Sequence, residues 1–235
     1  MTEKLKGLGL DTEAVRNTAL NPIEFRRGRG EIITSRALSG KHATVLLSGM
    51  ACLTIRQENG DRQIWAFNYP GDFLALLGFQ HPYSTQYVEV EALSDCSIGT
   101  IDCEKLEWAI QHDPALGQAL WHAAMIEASV VRQRLVMARL PALRRVAHLL
   151  CEHLCRCGLV NPVVPLSQID VADAVGLSVV QAKRIFEELH RLGVLAKRWP
   201  IEVVNPERLQ ELAAFDGRYL DLDETLSQWD LRIEG

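Results

Sequence analysis

No apolar stretch in these 235 residues is long enough to cross a bilayer: the longest mostly apolar run, Val45 to Ile55, is broken by Ser48, Gly49 and Thr54. The first thirty residues hold no apolar core of the kind a secretion signal needs, so a cytoplasmic protein with no membrane partner is expected. There is no low-complexity tract and no internal repeat, which argues against a disordered chain or a solenoid. Histidine is scarce where a metal-dependent enzyme of the double-sheet kind would need it. Between residues 21 and 102 only His42 and His81 occur, with no His-x-His, and the chain has no G-x-S-x-G nucleophile motif. An enzyme is therefore not expected, and a β-domain metal enzyme is the alternative from another class. Lys and Arg are absent from Gln63 to Glu104, so a phosphate buried against that stretch would lack a cationic partner.

What is present fits a globular protein, 48% hydrophobic and 23% charged, and its length calls for two domains. The six cysteines lie inside periodic segments of a chain without a secretion signal, so reduced thiols are expected rather than a disulfide framework. His148, Cys151 and Cys155 are spaced to share one helix face and could bind zinc or haem iron. Small buried cysteines explain that spacing more simply, so no metal and no cofactor are expected. The net charge of −5 hides an asymmetry. Residues 130–200 carry 11 basic against 5 acidic side chains, while residues 1–129 carry 11 against 16 and residues 201–235 carry 3 against 9. A basic island between acidic flanks is what a phosphate-contacting surface requires.

Short apolar stretches punctuated by Gly, Asn, Asp and Pro from about Asn21 to Asp102 indicate an antiparallel β domain. Its clearest strands are Val45–Gly49, Ala51–Arg56, Gln63–Phe67 and Val88–Ala92. Glu58-Asn59-Gly60-Asp61 reads as a hairpin turn in which Asn-Gly supplies the positive φ angles, and Pro70-Gly71-Asp72 as a second turn. Asp113-Pro114 then opens a helix to Leu140, about 26 residues or roughly 39 Å long. A three-four spacing through Leu116, Ala119, Ala123, Ile126, Val130, Gln133, Met137 and Leu140 suggests a seam for a second copy. Leu116, Ala123, Ile126, Val130 and Met137 are its expected dimerisation residues. A second stripe through Leu120, Ala124, Ala128, Val131 and Leu135 would be left for the β domain. Pro141 ends the helix, and a short amphipathic helix follows from Ala142 to Cys157.

Residues 166–186 have the layout of a helix-turn-helix. Ser167 caps a short helix, Ala172 is small enough for a second helix to cross, Gly176 permits a tight turn, and Ser178 caps the next helix. In that next helix Ala182, Ile185, Leu189 and Leu192 read as the inward stripe, with Gln181, Arg184, Glu188 and Arg191 outward. After Gly193, residues 194–204 read as a two-stranded wing carrying Lys197 and Arg198. The expected partner is double-stranded DNA.

The arrangement resembles the Crp-Fnr family of bacterial regulators over roughly residues 20 to 215. The resemblance rests on Leu47-Ser48-Gly49-Met50-Ala51, Tyr69-Pro70-Gly71-Asp72-Phe73, Arg145-Val146-Ala147-His148-Leu149-Leu150 and the helix-turn-helix. It implies an α+β protein: a β-roll effector domain with an N-terminal helix at 1–113, a dimerisation helix at 114–140, a winged helix-turn-helix at 141–215 and an acidic tail at 216–235. It further implies a homodimer on a palindromic operator, regulating transcription with RNA polymerase as a partner. By position, Ser167 and Gln168 look like phosphate contacts, and Val180, Lys183 and Arg184 occupy the base-reading positions. Ser178, Gln181, Lys197 and Arg198 complete the expected DNA surface.

Two departures from the family pattern matter. Many members place a glutamate where Val180 stands, and a valine cannot accept from cytosine N4 but can pack on a thymine methyl. Cyclic-nucleotide binders carry a Gly-Glu pair and then an Arg-Ser or Arg-Thr, whereas this chain has Gly71-Asp72-Phe73 and Tyr83-Ser84-Thr85-Gln86. The polar pair of the dimer helix falls on Val130-Val131. Gly71, Asp72, Phe73, Ser84 and Thr85 are thus expected to line an effector pocket for something other than cyclic AMP. A cyclic-nucleotide- or haem-dependent member, with His81 as a conceivable ligand, is the alternative within the family. Residues 1–51 have no cysteine, which argues against the iron–sulfur cluster of the oxygen-sensing branch.

Overall fold

The computed structural model describes residues 22–34, 42–74, 88–157, 163–198 and 200–220, without the side chains of Thr34, Lys197 and Arg198. The expected N-terminal helix, His81, Ser84 and Thr85 lie outside the described residues, as does the tail beyond Leu220. The chain divides into two units, residues 1–128 and 129–235.

The first unit holds strands β1 (Ile23–Arg27), β2 (Ile32–Thr34), β3 (His42–Ser48), β4 (Ala51–Arg56), β5 (Arg62–Asn68), β6 (Glu89–Ala92) and β7 (Cys96–Asp102). They form two antiparallel sheets, ordered β1-β7-β3 and β2-β6-β4-β5. Alternation along β3 explains the layering. Leu46, opposite Ile98 on β7, joins Leu53, Ala66 and Val90 of the other sheet in one core. Ala43, Val45 and Leu47 point the other way. That second face is covered by helix α1 (Cys103–His112) and the start of helix α2 (Pro114–Met137), through Leu106, Leu116 and Leu120. A sheet buried on both faces explains why Val45, Leu46 and Leu47 are apolar in succession rather than alternating with polar residues.

The hairpin at residues 58–61 is a correction in detail. Only Gly60 has positive φ, at 87°. Asn59 instead uses its side-chain oxygen to accept from the Asp61 N–H at 3.0 Å, so the turn needs one left-handed residue rather than two.

Asp113 caps α2, its carboxylate accepting from the Ala115 N–H at 3.0 Å, as the Asp-Pro pair suggested. The helix runs 24 residues, three fewer at its C-terminal end than expected before Pro141. Leu120 and Ala124 of the second stripe are buried, and Leu120 packs on the β domain as expected, but Leu116 of the seam stripe joins the same core. Val130 and Met137 are also buried, while Ala119, Ala123, Ile126 and Gln133 are half-buried. The exposed apolar groups are Trp121 at 68%, Leu135 at 71%, Val136 and Met125. α2 is apolar nearly all round, so its sequence could not say which stripe would lie on its own domain.

The second unit contains the end of α2, helix α3 (Ala142–Cys157), strand β8 (Val163–Val164), helices α4 (Gln168–Val175) and α5 (Val179–Arg191), strands β9 (Leu195–Arg198) and β10 (Ile201–Val203), and helix α6 (Pro206–Ala213). A 3-10 turn, Gly217–Leu220, follows. The wing has three strands, β8-β10-β9, where two were expected. Val163-Val164, too short to register as a strand, pairs with Ile201 and Glu202.

A polar cluster lies inside this unit. Glu152, 1% exposed, accepts from Arg134 at 2.9 Å and from the Tyr219 hydroxyl at 2.8 Å. Burial by itself would raise the Glu152 carboxyl. Arg134, Arg156 and the Tyr219 hydroxyl outweigh it and hold the group below its ordinary value. His148 sits beside it, against the Phe215 and Tyr219 rings and 3.3 Å from the Gln133 amide, and burial lowers its imidazole to about 4. Residues 216–220, expected as the start of a tail, thus pack into the second unit.

None of the six cysteines is joined in a disulfide, and only Cys157 is exposed. Cys151 lies fully inside α3's packing, and burial raises its thiol well above the ordinary value, which makes it unreactive.

Candidate nucleic-acid interface

Local chemistry builds the helix-turn-helix. Ser167 and Asp170 form a capping box at the start of α4: the Ser167 hydroxyl accepts from the Asp170 N–H at 3.1 Å, and the carboxylate accepts from the Ser167 N–H at 2.9 Å. Gly176 ends α4 in the left-handed region, with φ of 66°, which turns the chain within two residues to the next cap. Ser178 and Gln181 form a second capping box at 3.2 and 3.0 Å. Ala172 is completely buried, as a helix crossing requires. Arg145 of α3 donates to the Val175 carbonyl at 2.6 Å and so satisfies the C-terminal end of α4.

The inward face of α5 is Ala182, Phe186 and Leu189, all fully buried. Ile185 and Leu192 are only half-buried, so the helix is rotated from the stripe read in sequence, and Phe186 takes the central position. The outward face is centred on Val180, Lys183, Arg184 and Arg191, all exposed, with Val179 beside them. Val179 and Lys183, and likewise Val180 and Arg184, are one turn apart and neighbours on the helix surface. Gln181 is at the rim, its amide oxygen occupied by the cap.

The other expected contacts fall as follows. The Ser167 hydroxyl is engaged by Asp170, to which it also donates at 2.6 Å. Gln168 is half-buried at the first turn of α4. Lys197 and Arg198 lie on β9 opposite Glu202 and Ile201, their side chains outside the description. The basic island is not all surface: Arg134 and Arg145 are held inside, and Arg144 donates to the Ala213 carbonyl at 3.1 Å. Sequence reasoning did not single out Val179 as a site residue. An exposed β-branched pair at a helix start was the available signal.

In the first unit, Gly71 is buried in its turn, and the Asp72 carboxylate accepts from the Tyr69 N–H at 2.8 Å. Phe73 is buried in the core beneath β3 with Val45 and Leu47.

A β-roll followed by a long helix and a capped, winged helix-turn-helix with a cationic outer face defines a DNA-binding transcription regulator. Residues 144–212 match the Crp-like helix-turn-helix domain, and residues 24–113 match the cyclic nucleotide-binding domain. The nitrogen fixation regulation protein FixK of Bradyrhizobium diazoefficiens is 30% identical over 177 residues, covering 72% of this chain and 73% of FixK. The transcriptional activator protein FnrL of Cereibacter sphaeroides is 28% identical over 161 residues, covering 64% of this chain and 63% of FnrL. The solved structure of FixK2 from Bradyrhizobium japonicum superposes with a TM-score of 0.71 at 26% identity, covering 81% of this chain and 96% of FixK2. The chain belongs to the Crp-Fnr family of transcription regulators.

Proposed function

We propose that this regulator works in the cytoplasm as a homodimer on a palindromic operator, placing one α5 in each of two successive major grooves. It would act on RNA polymerase at the promoter. The observation that carries this reading is the outer face of α5, where Val180, Lys183 and Arg184 are all exposed on a helix whose start is fixed by its own capping box. Ser167 and Gln168 at the start of α4, and Lys197 and Arg198 on the wing, would meet phosphates on either side. Among the described residues no helix is long and apolar enough to cross a membrane.

The second copy is best placed on the exposed side of α2. Trp121 and Met125 are one turn apart and open to solvent, and covering a tryptophan side chain is worth on the order of 2–3 kcal/mol. The expected result of Trp121→Glu with Met125→Glu is a folded monomer with weak operator binding, measured by sedimentation and gel shift. Dimers of undiminished stability would place the interface elsewhere.

The signal is not a cyclic nucleotide in this reading. No Lys or Arg occurs from Gln63 to Glu104, and the Asp72 carboxylate is committed to its own turn. Calorimetry with cyclic AMP should show no binding at micromolar concentrations, and DNA binding should be unchanged by it. Micromolar affinity would show that the phosphate finds its cation elsewhere.

A further inference from the structure

The tip of α5 carries two valines where a solvated helix end would carry polar groups. Val179 is 49% exposed and Val180 62% exposed. β-branched residues are mediocre helix formers, and left in water their methyls contribute nothing to folding. They gain only if something apolar comes over them. In the major groove the base edges present donors and acceptors with one apolar exception, the C5 methyl of thymine. Resting on the reading that α5 enters the major groove, we infer that Val179 and Val180 form a methyl-reading element, specific for pyrimidines bearing a C5 methyl.

The neighbours fix the register of that contact. Gln181 turns its amide oxygen back to the Ser178 N–H, and Ser178 accepts from Gln181 in return, so neither competes for the bases at the tip with its capping group. Neither valine can accept a hydrogen bond, so a cytosine, with or without a C5 methyl, leaves the N4 amino group it offers there unpaired and desolvated. Arg184, one turn beyond Val180, meets a guanine through O6 and N7. Each half-site therefore places at least one thymine beside that guanine. A 5-methylcytosine, which carries the same methyl at the same carbon but keeps the unpaired N4 amino group, is bound better than cytosine and less well than thymine. DNA methylation at this position would strengthen binding to a C-containing site.

The test begins with a duplex that the protein selects from a random pool. Each thymine of the half-site is replaced in turn by deoxyuridine, which removes only the methyl, and then by cytosine or 5-methylcytosine opposite guanine. Loss of a methyl covered by valine should weaken binding about fourfold per half-site, the value of one buried methyl-sized group. 5-Methylcytosine should recover a similar factor over cytosine. Val180→Ala with Val179→Ala, changes that leave an exposed helix end intact, should abolish both differences while keeping the preference for guanine. Deoxyuridine at every position changing affinity less than twofold, with sequence selection otherwise intact, would overturn the methyl-reading element alone. Failure of the protein to select any sequence would instead overturn the reading on which it rests.

Discussion

Arg184→Ala yields a folded dimer that binds DNA with little preference for its operator. The side chain is exposed and projects from the middle of the outer face of α5, so its loss costs the fold almost nothing. A bidentate guanidinium–guanine contact is worth about 1–3 kcal/mol of discrimination, and a palindrome uses it twice. Specific affinity should drop by about 30-fold to 25,000-fold in total, with the effect confined to one guanine in each half-site. Removing Lys197 or Arg198 from the wing should act differently, weakening all sequences alike and flattening the salt dependence by about one unit for each phosphate no longer neutralised. Salt-titrated binding on matched and mismatched operators separates the two outcomes. An Arg184→Ala protein with full discrimination would show that α5 does not read the groove.

Glu152→Ala should be among the most destabilising single changes in the second unit. It leaves Arg134, which donates to Glu152 at 2.9 Å, and the Tyr219 hydroxyl facing a cavity without their acceptor. Breaking a buried pair by removing one partner costs about 3–5 kcal/mol, a large part of the stability of a small domain. Tyr219→Phe removes one hydrogen bond from the same carboxylate and should cost about 1–2 kcal/mol. Hydrogen exchange in α3 would report both changes, and Glu152→Ala with undiminished protection there would contradict the role assigned to the cluster. The cluster also sets a pH dependence. The folded His148 value, about 4, lies below its ordinary 6.5, so the unfolded chain takes up the proton first. The stability present above pH 6.5 is lost as pH falls from 6.5 toward 4. Glu152, also lowered, adds a further loss as the pH falls below the ordinary carboxylate value of 4.5. His148→Gln should flatten the upper part of that profile in thermal melts.

The helix-turn-helix was legible because its determinants are local. Ser167, Gly176 and Ser178 each act within four residues of themselves and Ala172 on the very next helix, and the structure gives the caps and turn their chemistry suggested and buries Ala172. Features that depend on distant partners were hidden. Val163-Val164 is a strand only because Ile201 and Glu202 pair with it. Phe186 and Ile185 are both apolar, and only packing against the rest of the unit shows which turns in. α2 carries apolar residues on every side, so the stripe through Leu116 and Val130 and the side bearing Trp121 were indistinguishable until the β-roll claimed Leu116. Charge counting overstated the DNA surface for a similar reason: Arg134, Arg144 and Arg145 lie in the basic island but bond inward.

Selection of bound sequences from a random duplex pool by the purified protein tests the central claim most directly. The account predicts enrichment of inverted half-sites centred one helical turn apart, about 10 base pairs, each with a guanine that Arg184→Ala ceases to select. Recovery of no common sequence, or of a single unrepeated site whose guanines Arg184→Ala still selects, would contradict it.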